Sequence, residues 1–140
     1  MTRPDIWVTV EDHRVLTRLL DEALQEGRLG AATWLANELS RARVVPAQAV
    51  PPDCMTLHAS GRFVDLRGRA VREGTLVPTR GRSSRGVVPV LSEIGTALLG
   101  LRAGQSIHWR DAHGRQRGVG LLELTHQPER AGGRQPDSRT

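Results

Sequence analysis

The chain has 140 residues, 38% of them hydrophobic and 25% charged, which supports one modest core and leaves no room for two independent catalytic domains. The net charge is +5, but every basic residue is arginine; basicity by itself therefore argues weakly for nucleic acid, and the absence of lysine excludes a phosphate loop of the Walker type. A single cysteine, Cys54, excludes an internal disulfide and a thiolate-rich zinc site, and no stretch approaches the roughly 20 apolar residues of a membrane span, so a cytoplasmic protein without membrane contact is expected.

Thr9 and Asp12 are suited to capping a helix start. Beyond them Val15, Leu16, Leu19, Leu20, Ala23 and Leu24 recur at three- and four-residue spacing, and Gly27 is suited to ending the helix. A second stripe of Ala32, Leu35, Ala36, Leu39 and Ala42 carries a helix to about Val44, where Pro46 stops it. Two apolar stripes joined by so short a turn cover each other by folding back, which predicts an antiparallel helical hairpin. Trp34 and Trp7 are expected to pack on each other across it. Prolines 46, 51 and 52 mark a linker over 45–53.

After the linker, short β-prone pieces alternate with turns: Met55 to His58, Arg62 to Leu66, Ala70 to Val77, Val87 to Leu91, Ser106 to Trp109 and Val119 to Thr125. One helix interrupts them over about Ser92 to Gly100, with Ser92 as its cap and Ile94, Ala97 and Leu98 as its buried stripe. The expected architecture is α+β, a short coiled-coil-like hairpin followed by a small antiparallel sheet packed by one helix. The division predicted is hairpin and linker over 1–52, sheet domain over 53–128 and a disordered tail over 129–140. Charge divides similarly, with 6 arginines against 7 acids in residues 1–52 and 14 against 8 in residues 53–140.

The order of elements, and above all VLSEIGTALLGLRAGQSIHW, resembles the C-terminal domain shared by the Gre factors and the Rnk family. PDCMTLHASGRF resembles the opening of that domain. Pro4-Asp5-Ile6, the run from Leu35 to Val44, the proline linker and the closing QPERAG resemble the Rnk branch, so that the likeness covers most of residues 3 to 132. It implies an FKBP-like C-terminal domain that holds the rim of the RNA polymerase secondary channel, and a hairpin directed at that channel.

In Gre factors two acids at the hairpin tip help hold a catalytic magnesium for transcript cleavage. Here the tip residues are Glu26, Gly27, Arg28 and Leu29, with Arg28 and Ala31 at the positions of those acids. Arginine repels a divalent metal, and Asp21, Glu22 and Glu26 read as solvated helix charges. The resemblance therefore implies a polymerase-binding regulator that competes with Gre factors without stimulating cleavage, and not an enzyme. No catalytic residue, metal, cofactor or small-molecule substrate is expected. The docking turn that the resemblance implies is Leu91-Ser92-Glu93, of which only Ser92 matches the Asp-Ser-Pro of Gre factors.

Arg80, Arg82 and Arg85 make the loop before Val87 basic and are candidates for phosphate contact, with a solvated loop as the plainer reading. Nucleic acid is otherwise expected only through the polymerase complex. Direct nucleic-acid binding by the arginine-rich half, and Gre-like cleavage, are the alternative functions. One phenylalanine, three tryptophans and no tyrosine are too few to line a prolyl-isomerase pocket. The five histidines show no metal-ligand spacing, and Cys54 reads as a small apolar residue.

Overall fold

The computed structural model describes residues 4–81 and 84–130. Strand β1, Trp7–Thr9, leads into helix α1, Val10–Gln25, whose first turn is capped by the Thr9 hydroxyl accepting from the Asp12 amide at 3.0 Å. The helix closes on Gly27, which takes φ 77°. There the Gly27 amide donates to Leu24 and the Arg28 amide to Ala23, the paired bonds of a Schellman ending that need a left-handed residue. Helix α2, Leu29–Arg41, returns antiparallel.

The second helix ends before Val44. Residues Arg43–Val45 instead form strand β2, which pairs parallel with β1 in the register Trp7↔Arg43, Val8↔Val44, Thr9↔Val45. Two β-branched valines, the second preceding Pro46, favour extended backbone over a last helical turn. The proline segment is packed: Val50 is fully buried, and the Gln127 side-chain amide donates to the carbonyls of Pro51 at 2.8 Å and Cys54 at 2.9 Å.

The second unit is a five-stranded sheet of β3 (Ser60–Asp65), β4 (Ala70–Arg80), β5 (Val87–Leu91), β6 (Ser106–Arg110) and β7 (Gln116–His126), in the order β5-β4-β3-β7-β6. It is mixed rather than wholly antiparallel, because β4 and β5 run parallel from Thr75↔Val87. Just before β5 the Gly86 carbonyl accepts the Thr75 amide, which fixes where the parallel pairing begins. Met55 to His58 is not a strand. Its backbone goes to the neighbouring loop, Met55 donating to Leu101 and accepting from Gly100. Helix α3, Glu93–Leu98, sits behind β5 and is capped by Ser92. Gly95 lets it approach, since a Cβ there would fall 1.9 Å from the Pro89 carbonyl oxygen. Residues 131–140, the greater part of the tail expected to be disordered, lie outside the described residues.

One apolar core spans both units. Leu16, Leu19, Ala23, Ala32, Leu35 and Leu39 of the hairpin belong to the same cluster as Phe63, Leu76, Val88, Val90, Ile94 and Leu121. At roughly 1.5–3 kcal/mol for each large side chain, this burial is what holds helices of this length. A polar clasp accompanies it: the Asp12 carboxylate accepts the Leu57 amide at 3.0 Å, and the Thr56 hydroxyl next to it donates to Glu129 at 2.8 Å.

Burial raises the Asp12 carboxyl from 3.8 to about 6; the nearby Glu129 and Glu11 charges push the same way, while the Leu57 amide and Thr9 hydroxyl pull it down. An acid whose folded pKa is raised binds its proton more tightly when folded. Stability therefore falls as pH rises from about 4 to about 6 and is level above. Asp12→Asn keeps an acceptor for Leu57 and removes the charge. Urea titrations across this range are expected to show the variant gaining on the wild type as pH rises, by at most about 3 kcal/mol.

Candidate functional site

Helix α2 and helix α3 do not close on one another completely. Between them lies a cleft of about 570 Å³, walled by Gly30, Thr33, Trp34 and Asn37 on one side, Ser92, Glu93 and Thr96 on the other, and Trp109, Arg110 and Ala112 at the end of β6. Its hairpin wall follows from helical spacing, since positions 30, 33, 34 and 37 share one face. Trp34 and Trp109 meet here, ring centroids 5.2 Å apart and tilted by 49°. The expected packing of Trp34 on Trp7 does not occur: Trp7 lies under the Arg43 guanidinium, 5.4 Å from the ring centroid, because β1–β2 pairing carries it away from α2.

The three residues of the proposed docking turn have different fates. Leu91 ends β5 and is 4% exposed, so it belongs to the core. The Ser92 hydroxyl accepts from the Gly95 amide at 3.0 Å and donates to the Pro89 carbonyl at 2.7 Å, which commits it to the cap. Glu93 is the half-exposed member and lines the cleft. It accepts Arg117 at 2.9 Å, and that guanidinium also reaches Asp65 at 3.5 Å and covers Trp109, 5.6 Å from its centroid. Arg117, Trp34 and Trp109 are thus the supporting residues that sequence reading did not bring together; the local trace of Trp109 and Arg117 is alternation along β6 and β7, and that of Trp34 its place beside the α2 stripe.

At the hairpin tip Glu26 is ion-paired with Arg28 at 3.5 Å and with Arg80 at the end of β4. Gly27 makes the turn, and Leu29 is 61% exposed. The basic loop residues do not act together. Arg80 goes to the tip, Arg82 lies outside the described residues, and Arg85 borders a separate cavity with Arg72. Among the described residues no three His, Cys, Asp or Glu side chains converge in the manner of metal ligands. Burial pushes the Cys54 thiol up to about 12, far from a nucleophilic thiolate.

Comparison with known proteins agrees with this arrangement along the chain. The Rnk N-terminus family matches residues 4–45, the hairpin with its flanking strands. The regulator of nucleoside diphosphate kinase of Escherichia coli strain K12 is 37% identical over 133 residues, covering 94% of this chain and 97% of that protein. The protein of the same name from Shigella flexneri matches equally. Among solved structures, a prokaryotic transcription elongation factor GreA/GreB from Nitrosomonas europaea superposes with a TM-score of 0.66 at 30% identity, covering 89% of this chain and all of that one. With that identity along nearly its whole length, and the hairpin matched separately, the chain belongs to the Rnk family of regulators, relatives of the GreA/GreB transcription factors.

Proposed function

We propose that this protein is a cytoplasmic transcription regulator that docks on RNA polymerase at the secondary-channel rim and competes there with Gre-type factors without stimulating transcript cleavage. Kinship with a GreA/GreB elongation factor supports the choice of partner. The observation that carries the rest is the state of the hairpin tip: its acid, Glu26, is neutralised by Arg28 and Arg80. A carboxylate held between two guanidinia is a poor ligand for magnesium. Helix α1 has 16 residues, about 24 Å at the standard rise, and its apolar stripe is shared between α2 and the sheet domain, so the hairpin makes a blunt plug and not a long probe. The sheet domain presents Glu93 beside the cleft as the exposed part of the docking turn.

Core RNA polymerase is expected to retain the purified protein at moderate salt, a Gre factor is expected to displace it, and stalled elongation complexes are expected to show no added cleavage. Failure of the folded protein to bind would overturn the docking reading, and cleavage on its addition would overturn the rest.

Two substitutions separate cap from contact. Ser92→Ala is expected to lower stability by about 1 kcal/mol through loss of the cap, seen as an earlier urea midpoint. Glu93→Gln, which keeps an acceptor for Arg117, is expected to shift the midpoint less than Ser92→Ala does and to weaken polymerase retention at least fivefold. Arg28→Glu is expected to leave both intact.

A further inference from the structure

The two parallel strands β4 and β5 leave a second cavity beside them, about 420 Å³, bordered by Arg72 and Glu73 of β4, Ser84, Arg85 and Gly86 of the turn, and Phe63 and Val88 beneath. It exists because of where side chains are missing. At Gly74 a Cβ would fall 2.9 Å from Val88 Cγ2 and press that side chain aside, and Gly86 turns the chain at φ 73° without adding bulk. Arg72 and Arg85 stand on separate segments and are both exposed; among the described residues neither is in an ion pair. Arg62, next to Phe63 on β3, is instead bound by Glu123 at 2.9 Å.

We propose that the Arg72–Arg85 cavity holds a phosphate group of a nucleic-acid backbone, independently of the polymerase-docking face. Two guanidinia and the Ser84 hydroxyl supply donors suited to phosphate oxygens. The Glu73 carboxylate on the same border offsets one of the two cations, so the net charge of the border matches the single negative charge of a phosphodiester. The floor cannot read bases, since Phe63 is 2% exposed and Val88 3%, leaving no aromatic face for stacking and no polar edge for pairing. Binding is therefore independent of sequence and carried by charge. The exposed border also suits a polymer passing across it better than a small molecule enclosed in it.

The test is fluorescence anisotropy of a labelled single-stranded RNA of mixed sequence, titrated with the full chain over a range of salt. The wild type is expected to bind with a steep salt dependence. Arg72→Gln/Arg85→Gln is expected to weaken binding about tenfold and to flatten the slope of log K against log salt by about 0.7, the share of the one phosphate that both guanidinia hold. Arg85→Gln by itself is expected to weaken binding less than the double variant does. Arg62→Gln is the control, expected to match the wild type. A weakening in Arg62→Gln equal to that in the double variant would reduce the effect to diffuse charge, and absence of binding by the wild type would remove it; either result overturns the site. Unlabelled nucleoside diphosphate tests the source of the phosphate: displacement of RNA as effective per phosphate as that by unlabelled RNA would mean a free nucleotide is the ligand and overturn the backbone assignment. No polymerase is present, so these results are separate from the docking reading.

Discussion

Helices of 16 and 13 residues that cover each other by one narrow stripe are marginal in water, and the structure depends on how that deficit is met. Leu16, Leu19, Ala23, Leu35 and Leu39 are buried not only between the helices but also against Leu76, Val88 and Val90 of the sheet. Hairpin and sheet therefore share one core. The cleft between α2 and α3, the Glu26–Arg80 salt bridge at the tip and the Asp12 clasp on Leu57 are all consequences, because each lies where the two units are pressed together.

The elements with local chemistry were legible. Helix α1 could be placed from its apolar period, the Thr9 cap and Gly27, and α3 from Ser92, because each signal lies within a few residues of the feature it controls. The pairing of β1 with β2 was not legible. A three-residue parallel ladder between the two ends of a hairpin has no turn of its own, and Arg43–Val45 reads equally well as the end of a helix. The parallel step from β4 to β5 was hidden for a similar reason, since a loop of this length ordinarily predicts an antiparallel return.

The site was legible in part. Ser92 and Glu93 do border the main cleft, but the residues that shape it come from far along the chain: Trp34 from α2, Trp109 from β6 and Arg117 from β7. Their partners are chosen by tertiary packing, which no spacing rule records. Arginine content misled in the same way. Neighbours in sequence, Arg80 and Arg85, serve different parts of the surface, whereas Arg72 and Arg85, from a strand and a turn, border one cavity.

The Gln127 amide, donating to Pro51 and Cys54, rivets the exit of β7 to the segment that joins the two units. Prolines in a connector usually suggest a swivel, but a connector fastened at both of these carbonyls transmits torque instead of absorbing it. The angle at which the hairpin leaves the sheet is thereby set when the chain folds. A surface that touched hairpin and sheet together would meet them at one fixed angle, so that shape would select before charge does.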